Sequence, residues 1–458
     1  SSHWRKKGRG TPRSAMEAAP DAKRRRTAEL EVCPNGCHRD RGRPDKTCCA
    51  CPVGWQPLPR LSTCPDLEAY MRDFALQRRP FVLTGNAAHD WGWPAADGRW
   101  RELDYLIDHP QVVAMERLFD QPEGFRPVAL SISSRRGPTR GGEASWEYCG
   151  VSSPMTPRTA LRKLQTREEL GCWGDDGISM YLRAWEYDND DWAAGSSSED
   201  GPQPPGIAAD LAAGVPFARC ALSEELGPEH PLARSIRWIY IGEPGSGSLP
   251  HVDPMATHAW MWQAKGRKEW RIVRRDPVAD ALPVRGALGE KKQEAAADGE
   301  DQEDDVFQVT GAPAPLGAPE ELFGPGSCQS LAAWLGGAPG CEAWAGELNE
   351  GEVLFVPSGT LHAVRNAPPG LSIAISHNYV DAANVPEVLR CLEQALQLLR
   401  AELPRQARES PDGALAGALS ALQGCLDAQN NGLLAAALAE PDLPARLAAR
   451  ASARGAQK

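Results

Sequence analysis

The first candidates for a chemical role in this 458-residue sequence are a histidine and an aspartate two positions apart, His251 and Asp253. In a β-strand that spacing puts both side chains on one face. One imidazole and one carboxylate then supply two of the three ligands of a 2-His-1-carboxylate triad, which holds Fe(II) and leaves its opposite side open. The third ligand must come from a distant histidine, and we assign it to His362. A His-x-Asp tripeptide alone arises by chance in many sequences, so the assignment of a metal site depends on the neighbouring residues.

A lysine in an apolar setting is the second chemical signal. Lys268, Trp270 and Ile272 alternate in a predicted strand and therefore share one face. A lysine among apolar side chains is unfavourable in a core unless it points into a cavity that holds an anion. Lys268 is therefore our candidate for binding an anionic ligand.

Two other histidines compete for a role at this site. His258 follows Asp253 by five residues, and we expect it to lie beyond the strand that carries the ligands. His377 alternates with Ser376 and Asn378 in the segment Leu371–Asn378, so it should face away from them. Neither is predicted to bind the metal.

A third cluster lies near the N-terminus and comprises Cys33, Cys37, His38, Cys48, Cys49 and Cys51. Zinc needs four nitrogen or sulfur ligands brought together by short turns, which favours a zinc site here, although the spacing fits no standard finger. Free thiols and disulfides are the alternatives. Disulfides require an oxidising compartment, and the other scattered cysteines, without a signal peptide, indicate a reducing one.

The elements that must position the triad are mostly β-strands. Short strands separated by turn residues are predicted at Val112–Ala114, Val128–Ile132, Ile178–Leu182 and Ile236–Ile241, a pattern typical of a sandwich or barrel. Residues 157–166 read as a helix. Ser62 or Thr63 is a candidate N-cap for an earlier one. After Pro386, leucines at three- and four-residue steps predict a helix, and a second follows over 415–426.

The composition divides the chain into five parts. We expect a disordered basic tail (1–32), the Cys-rich segment (33–60), an N-terminal part of the main fold (61–235), its core (236–384) and C-terminal helices (385–458). The core contains an interruption, 276–346, in which Gly289–Asp305 has eight acidic residues and two lysines. Such a segment cannot bury a core and is predicted to be disordered.

Charge and hydropathy limit the partners. The net charge of −11 argues against a protein that coats nucleic acid, although it leaves a nucleic-acid partner open. It is compatible with a protein substrate that carries basic side chains.

No apolar run of about 18 residues exists, so we predict no membrane span. The basic run Lys23–Arg26 indicates nuclear localisation or a solvated tail, with the cytoplasm as the alternative compartment. The C-terminal leucine stripes would cover the sheet or pair two copies in a homodimer.

With these residues in place, the sequence resembles the JmjC-domain Fe(II)- and 2-oxoglutarate-dependent oxygenases. It is most similar to their bifunctional arginine demethylase and lysyl-hydroxylase subfamily, over roughly residues 60–395. The matching motifs are Gly245-Ser-Gly-Ser248, His251-x-Asp253-Pro254, Gly266-x-Lys268-x-Trp270, Gly351-Glu352, His362-x-Val364-x-Asn366 and Ile373-Ala-Ile375-x-x-Asn378.

The resemblance implies a mostly β fold, a double-stranded β-helix (jelly-roll or cupin) with flanking helices and a C-terminal helical region. It implies that His251, Asp253 and His362 bind Fe(II), and that Lys268 pairs with the far carboxylate of 2-oxoglutarate. Ser248 and Ser376 would donate hydrogen bonds to that cosubstrate, with Asn378 close by. One departure stands out, because Met261 occupies a position where the subfamily has an asparagine.

The implied activity is that of an O2-consuming dioxygenase that hydroxylates a lysine or arginine side chain of a histone or other basic protein, or demethylates it through hydroxylation. Two alternatives stay open. The first is a non-catalytic JmjC scaffold, which would have no need of a buried lysine. The second is an RNA-modifying oxygenase of the same fold, which the acidic composition disfavours.

Overall fold

Two facing β-sheets form the body of the protein. The computed structural model describes residues 55–117, 127–138, 144–171, 177–187, 206–211, 214–227, 230, 236–274, 323, 342–409 and 442–456. Within these ranges the strands are β1 Gln56–Pro57, β2 Arg60–Leu61, β3 Phe81–Leu83, β4 Leu130–Pro138, β5 Ala144–Val151, β6 Ile178–Glu186, β7 Arg237–Gly242, β8 Gly247–Val252, β9 His258–Lys265, β10 Arg267–Arg274, β11 Glu342–Asn349, β12 Val353–Val356, β13 Leu361–Ala367 and β14 Ser372–Tyr379.

The eight strands β7 to β14 divide equally between the sheets. The smaller sheet has the order β1-β11-β10-β13-β8, and the larger has the order β2-β3-β12-β9-β14-β7-β6-β4-β5. All pairs among the eight are antiparallel. This arrangement is a double-stranded β-helix with the larger sheet extended at both edges, as the resemblance to the JmjC family implied.

Apolar side chains fill the space between and outside the sheets. Strand β9 carries Trp260 and Trp262, and the indole of Trp93 lies 5.5 and 5.6 Å from their rings. On the neighbouring strands the rings of Phe81 and Phe355 lie 5.2 Å apart. All five side chains are buried. These aromatic contacts fix the strands that carry the chemical residues.

Helices cover the larger sheet. Their bounds are α1 Leu67–Tyr70, continued by a π-helical turn Met71–Ala75, α2 Ala87–Asp90, α3 Leu103–Ile107, α4 Pro110–Arg117, α5 Pro157–Leu170, α6 Ala221–Leu226, α7 Val385–Glu409 and α8 Leu443–Ala456, with 3-10 turns at Pro94–Asp97, Arg99–Arg101 and Ile207–Leu211. In α5, Thr156 caps the first turn and Gly171, at φ 63°, ends the helix. No described helix is long and apolar enough to cross a membrane.

Several sequence predictions need correction. Val112–Ala114 lies in α4, not in a strand, because an apolar run of three residues satisfies both patterns and Pro110 favours the first helical turn. Asp66, rather than Ser62 or Thr63, caps α1 through its carboxylate. The predicted interruption 276–346 is too long at its C-terminal end, since β11 begins at Glu342.

The interruption also contains a buried residue. Phe323 is 7% exposed and lies between the guanidinium groups of Arg271 and Arg365, whose central carbons are 4.8 and 5.0 Å from its ring. The prediction that residues 276–346 are disordered throughout is therefore wrong at Phe323. The fold also begins earlier than residue 61, because β1 starts at Gln56, inside the predicted Cys-rich segment.

Several predictions lie outside the described residues. They are the basic tail with Lys23–Arg26, the cluster Cys33, Cys37, His38, Cys48, Cys49 and Cys51, the acidic segment Gly289–Asp305 and the second C-terminal helix over 415–426. The helix predicted after Pro386 is present as α7, and Val388 and Leu392 on its apolar stripe are buried.

Candidate metal centre and adjoining pocket

The triad forms on two neighbouring strands of the smaller sheet and at the residue that follows one of them. Strand β8 carries His251, and Asp253 follows directly after it. His362 is the second residue of β13, which pairs with β8 so that His362 lies opposite His251. The chain segments are more than a hundred positions apart in sequence, and the antiparallel register alone brings the two imidazoles together.

The three donor atoms lie within 4.8 Å of one another. Nε2 of His251 is 4.0 Å from Oδ1 of Asp253, and Nε2 of His362 is 3.7 Å from the same oxygen. The two imidazole centroids are 4.2 Å apart. Among the described residues this is the one group of three or more His, Cys, Asp or Glu side chains arranged to hold a metal ion.

The protonation state of His362 suits metal binding. Burial lowers the pKa of His362 to about 4, so its imidazole is neutral at physiological pH. Its Nδ1 lies 3.2 Å from the carbonyl oxygen of Thr360, and donation to that oxygen leaves the Nε2 lone pair free for a metal. Burial raises the pKa of Asp253 above its ordinary value, with the nearby His251 opposing the shift.

The carboxylate of Asp253 shows whether the triad residues fit a metal ion. Its Oδ2 is buried, and no hydrogen-bond partner for it lies among the described residues. A buried carboxylate oxygen without a partner costs free energy unless a cation or a donor satisfies it. Two imidazole nitrogens and one carboxylate oxygen form the donor set of a facial triad. The residues present therefore fit a divalent metal ion.

A pocket of about 410 Å³, its open mouth included, adjoins the triad. Besides the three triad residues it is lined by Tyr181, Tyr240, Ser248, Ala259, Met261, Trp270, Val356, Val364, Ser376 and Asn378. The indole of Trp270 lies 5.8 Å from the ring of His362. Polar and apolar side chains share this lining about equally, so the site offers a small molecule both hydrogen-bonding groups and apolar contacts.

Lys268 is fully buried next to this pocket. Its Nζ donates to Oδ1 of Asn366 at 2.5 Å and lies 3.4 Å from the hydroxyl of Tyr181. It also lies 5.2 Å from the centre of the Tyr181 ring. Burial lowers the pKa of this lysine to about 7. As predicted, the side chain of Lys268 points into the interior, on the face that it shares with Trp270 and Ile272.

The serines and the asparagine of the prediction lie at different ends of the pocket. Ser248 lies beside Tyr181 in the pocket lining, near Lys268. Ser376 lines the pocket and donates to the carbonyl oxygen of Trp260 at 3.1 Å. Asn378 lies at the metal end, where its amide donates to Thr257 at 2.8 Å and its side chain lies close to the Asp253 carboxylate.

The two competing histidines lie away from the triad. His258 is buried at the start of β9, where its Nδ1 accepts from the backbone N–H of Ser358 at 2.8 Å. His377 points to the opposite side of β14 from Ser376 and contacts the ring of Trp260. It faces away from the site as predicted, but it is packed against protein rather than open to solvent.

Sequence reasoning missed two polar residues of this region. Asn366 was part of a recognised motif, yet no role followed from it. Tyr181 comes from β6, outside the eight strands of the double-stranded β-helix, and only its place in an apolar strand marks it in the sequence. Tertiary pairing brings both to Lys268.

The fold and the donor set define a class, that of double-stranded β-helix proteins with a 2-His-1-carboxylate metal site. Comparison with known proteins confirms the resemblance to JmjC-type oxygenases. A bifunctional arginine demethylase and lysyl-hydroxylase from Caenorhabditis briggsae is 28% identical over 157 residues, which are 34% of this chain and 33% of that protein. No family model matches the chain.

Two further relatives support the same assignment. An arginine-specific demethylase from Arabidopsis thaliana is 31% identical over 175 residues, covering 37% of this chain and 27% of that protein. A 2-oxoglutarate and iron-dependent oxygenase from Homo sapiens is 26% identical over 176 residues, covering 38% and 34%. The chain thus matches about a third of the length of these curated relatives.

Proposed function

We propose that the protein is an iron- and 2-oxoglutarate-dependent dioxygenase. The observation that carries this proposal is that one pocket adjoins the triad and is also lined by Tyr181, against which the buried Lys268 packs. The triad alone would suit several metal functions. A fully buried cation beside it needs an anionic ligand, and a dicarboxylate that reaches from the metal to Lys268 meets both requirements.

Each residue of the pocket then has a task. His251, Asp253 and His362 hold the metal, and Asn378 orients the carboxylate of Asp253. Lys268 binds the far carboxylate of the cosubstrate as a compact positive charge, with Tyr181 and Ser248 completing the polar end. The apolar wall around Trp270 and Val356 excludes water. Bound iron with 2-oxoglutarate and O2 supplies the oxidation of a C–H bond, while the protein positions the reactants.

We infer that the substrate is a protein with basic side chains, on which hydroxylation of a carbon gives an alcohol and hydroxylation of an N-methyl group leads to demethylation. The names of the relatives support this class, as does the net charge of −11. A histone or another nuclear protein is the proposed partner.

The buried lysine also argues against the alternative hypothesis that the protein is a non-catalytic scaffold. A fully buried ammonium without a ligand is unfavourable, and replacement by an apolar side chain would stabilise such a scaffold. Its presence beside an intact triad supports a cosubstrate site.

Metal and cosubstrate binding test the proposal. We expect wild-type protein to bind Fe(II), and Mn(II) as a spectroscopic substitute, and then 2-oxoglutarate. His251→Ala should lose the metal, Lys268→Ala should keep it and lose the cosubstrate, and His377→Gln should keep both as the matched buried-histidine control. Equal behaviour of all four proteins would overturn the proposal. Succinate formation with basic peptides or with tRNA then identifies the substrate class.

A further inference from the structure

The turn that follows Asp253 is backbone-strained. Met255 and Ala256, between β8 and β9, have φ values of 56° and 52°. Both values lie in the left-handed region, which is unfavourable for residues with a Cβ atom. Two consecutive non-glycine residues in this region persist only where surrounding contacts hold them. The turn is adjacent to a metal ligand, so its shape bears directly on the position of the Asp253 carboxylate.

Two side chains from distant parts of the chain hydrogen-bond to the carbonyl oxygen of Ala256. The hydroxyl of Ser358 donates to it at 2.6 Å, and the amide of Asn384 lies 3.3 Å away. Ser358 belongs to the turn that leads into β13 and His362. Asn384 directly precedes helix α7. The strained turn is thus held from the second ligand-bearing segment and from the C-terminal helix.

Both donors are themselves fixed. Ser358 is 1% exposed, and its backbone N–H donates to Nδ1 of His258 at 2.8 Å. Nε2 of the same imidazole faces Oδ1 of Asp381 at 3.4 Å. Oδ1 of Asn384 accepts from the backbone N–H of Asp381 at 2.8 Å. His258 and Asp381 therefore link the two donors into one buried network.

The network continues into the core. Tyr70 of α1 donates to Oδ2 of Asp381 at 2.8 Å, and its oxygen lies 2.7 Å from the hydroxyl of Tyr379. All of these side chains are buried. Because these hydrogen bonds and the contact between His258 and Asp381 restrain one another, the network can hold a turn conformation that the local sequence would not adopt alone.

We propose that Ser358 and Asn384 are positioning residues for the metal, which hold the strained turn 254–256 in the one shape that presents the Asp253 carboxylate to both histidines. This inference deepens the proposed function and rests on it. Helix α7, through Asn384 at its start, is then part of the metal site as well as a cover for the sheet.

Metal affinity tests the proposal without any turnover measurement. We expect Ser358→Ala and Asn384→Ala each to weaken Mn(II) or Fe(II) binding about tenfold or more, the usual effect of removing a residue that orients a metal ligand. At saturating metal, the affinity for 2-oxoglutarate should stay within about twofold of the wild-type value, since Lys268 is untouched.

A glycine variant separates strain from simple loss of packing. Glycine adopts positive φ without penalty, so Ala256→Gly in the Ser358→Ala background should restore at least half of the lost affinity on a logarithmic scale. Ser372→Ala is the matched control, because it also removes a buried hydroxyl, the acceptor of a 2.8 Å hydrogen bond from Gln263, but leaves the turn intact. It should bind metal like the wild type.

The outcomes distinguish the two proposals. If the wild type binds no Fe(II) or Mn(II), the proposed function fails. If the wild type binds and Ser358→Ala binds equally well, or Ala256→Gly gives no recovery, the positioning role is overturned while the proposed function stands. Circular dichroism and Tm of the metal-free variants identify any protein that has lost its fold. In that case the second variant, Asn384→Ala, decides the outcome.

Discussion

The ammonium of Lys268 lies 2.5 Å from the side-chain oxygen of Asn366, its direct cross-strand neighbour. The amide nitrogen of Asn366 donates in turn to the hydroxyl of Ser246 at 2.8 Å. A neutral amide satisfies one N–H of the lysine without neutralising its charge. Asn366 therefore holds Lys268 in place and leaves that charge for an anionic ligand.

This relationship predicts the effect of a single charge. Asn366→Asp would place a carboxylate against the ammonium and form a charge-assisted hydrogen bond within the protein. We expect 2-oxoglutarate binding to weaken by about tenfold or more, since each 1.4 kcal/mol of lost interaction is tenfold, while metal affinity stays unchanged. Isothermal titration with Mn(II), then with cosubstrate, measures both. Equal cosubstrate affinity in wild type and variant would show that Lys268 does not bind the dicarboxylate.

The pKa of Lys268, lowered by burial to about 7, predicts a pH dependence of cosubstrate binding. Below pH 7 the amine is already protonated and ready to bind a carboxylate. Above pH 7 the free protein holds it neutral, so binding must take up a proton, and affinity should fall by up to tenfold per pH unit between 7 and 9. Titration in two buffers of different ionisation enthalpy measures the uptake. Lys268→Arg stays charged and is the control.

The same lowered pKa has a consequence for stability, and its sign is opposite to that of a paired lysine. The unfolded chain keeps this lysine protonated up to its ordinary pKa near 10.5, whereas the folded protein releases the proton above about 7. The unfolded state thus binds more protons in this window, so the stability contribution rises with pH. We expect Lys268→Met to remove that rise in ligand-free protein. Urea unfolding at pH 7 and pH 9 measures the difference.

The pair His251 and Asp253 and the inward-facing Lys268 are predictable because their signals are local, whereas His362 is predictable only from the motif around it. The His251–Asp253 spacing and the alternation of Lys268 with Trp270 each follow from strand geometry within a few residues. Tyr181 and Asn366 escaped prediction because their approach to Lys268 depends on the register between strands about 90 residues apart. The strained turn 254–256 escaped it because its conformation depends on donors more than a hundred positions later.

A substitution at Gly242 tests the packing of the polar side chains around Lys268. A Cβ atom there would lie 2.3 Å from the Asn366 amide nitrogen, 2.4 Å from a ring carbon of Tyr181 and 2.7 Å from the Ser246 hydroxyl. Gly242→Ala should therefore displace the groups around Lys268 and weaken 2-oxoglutarate binding severalfold, with smaller effect on metal affinity. Gly98→Ala is the control, because its φ of 100° is strained but its Cβ meets nothing within 4 Å. Loss of cosubstrate binding in both variants would indicate general destabilisation.

Met261 marks where this pocket departs from the subfamily it resembles. Its side chain lines the pocket and is 6% exposed. Met261→Asn would add an amide donor toward a bound cosubstrate, and one net hydrogen bond is worth about 0.5–1.5 kcal/mol. We therefore expect 2-oxoglutarate affinity to rise up to about tenfold, together with a lower Tm from the lost apolar packing. Met261→Leu keeps the apolar volume without the amide, so it should leave the affinity close to wild type. If the asparagine variant binds the cosubstrate no better than the leucine variant, the position does not face the dicarboxylate.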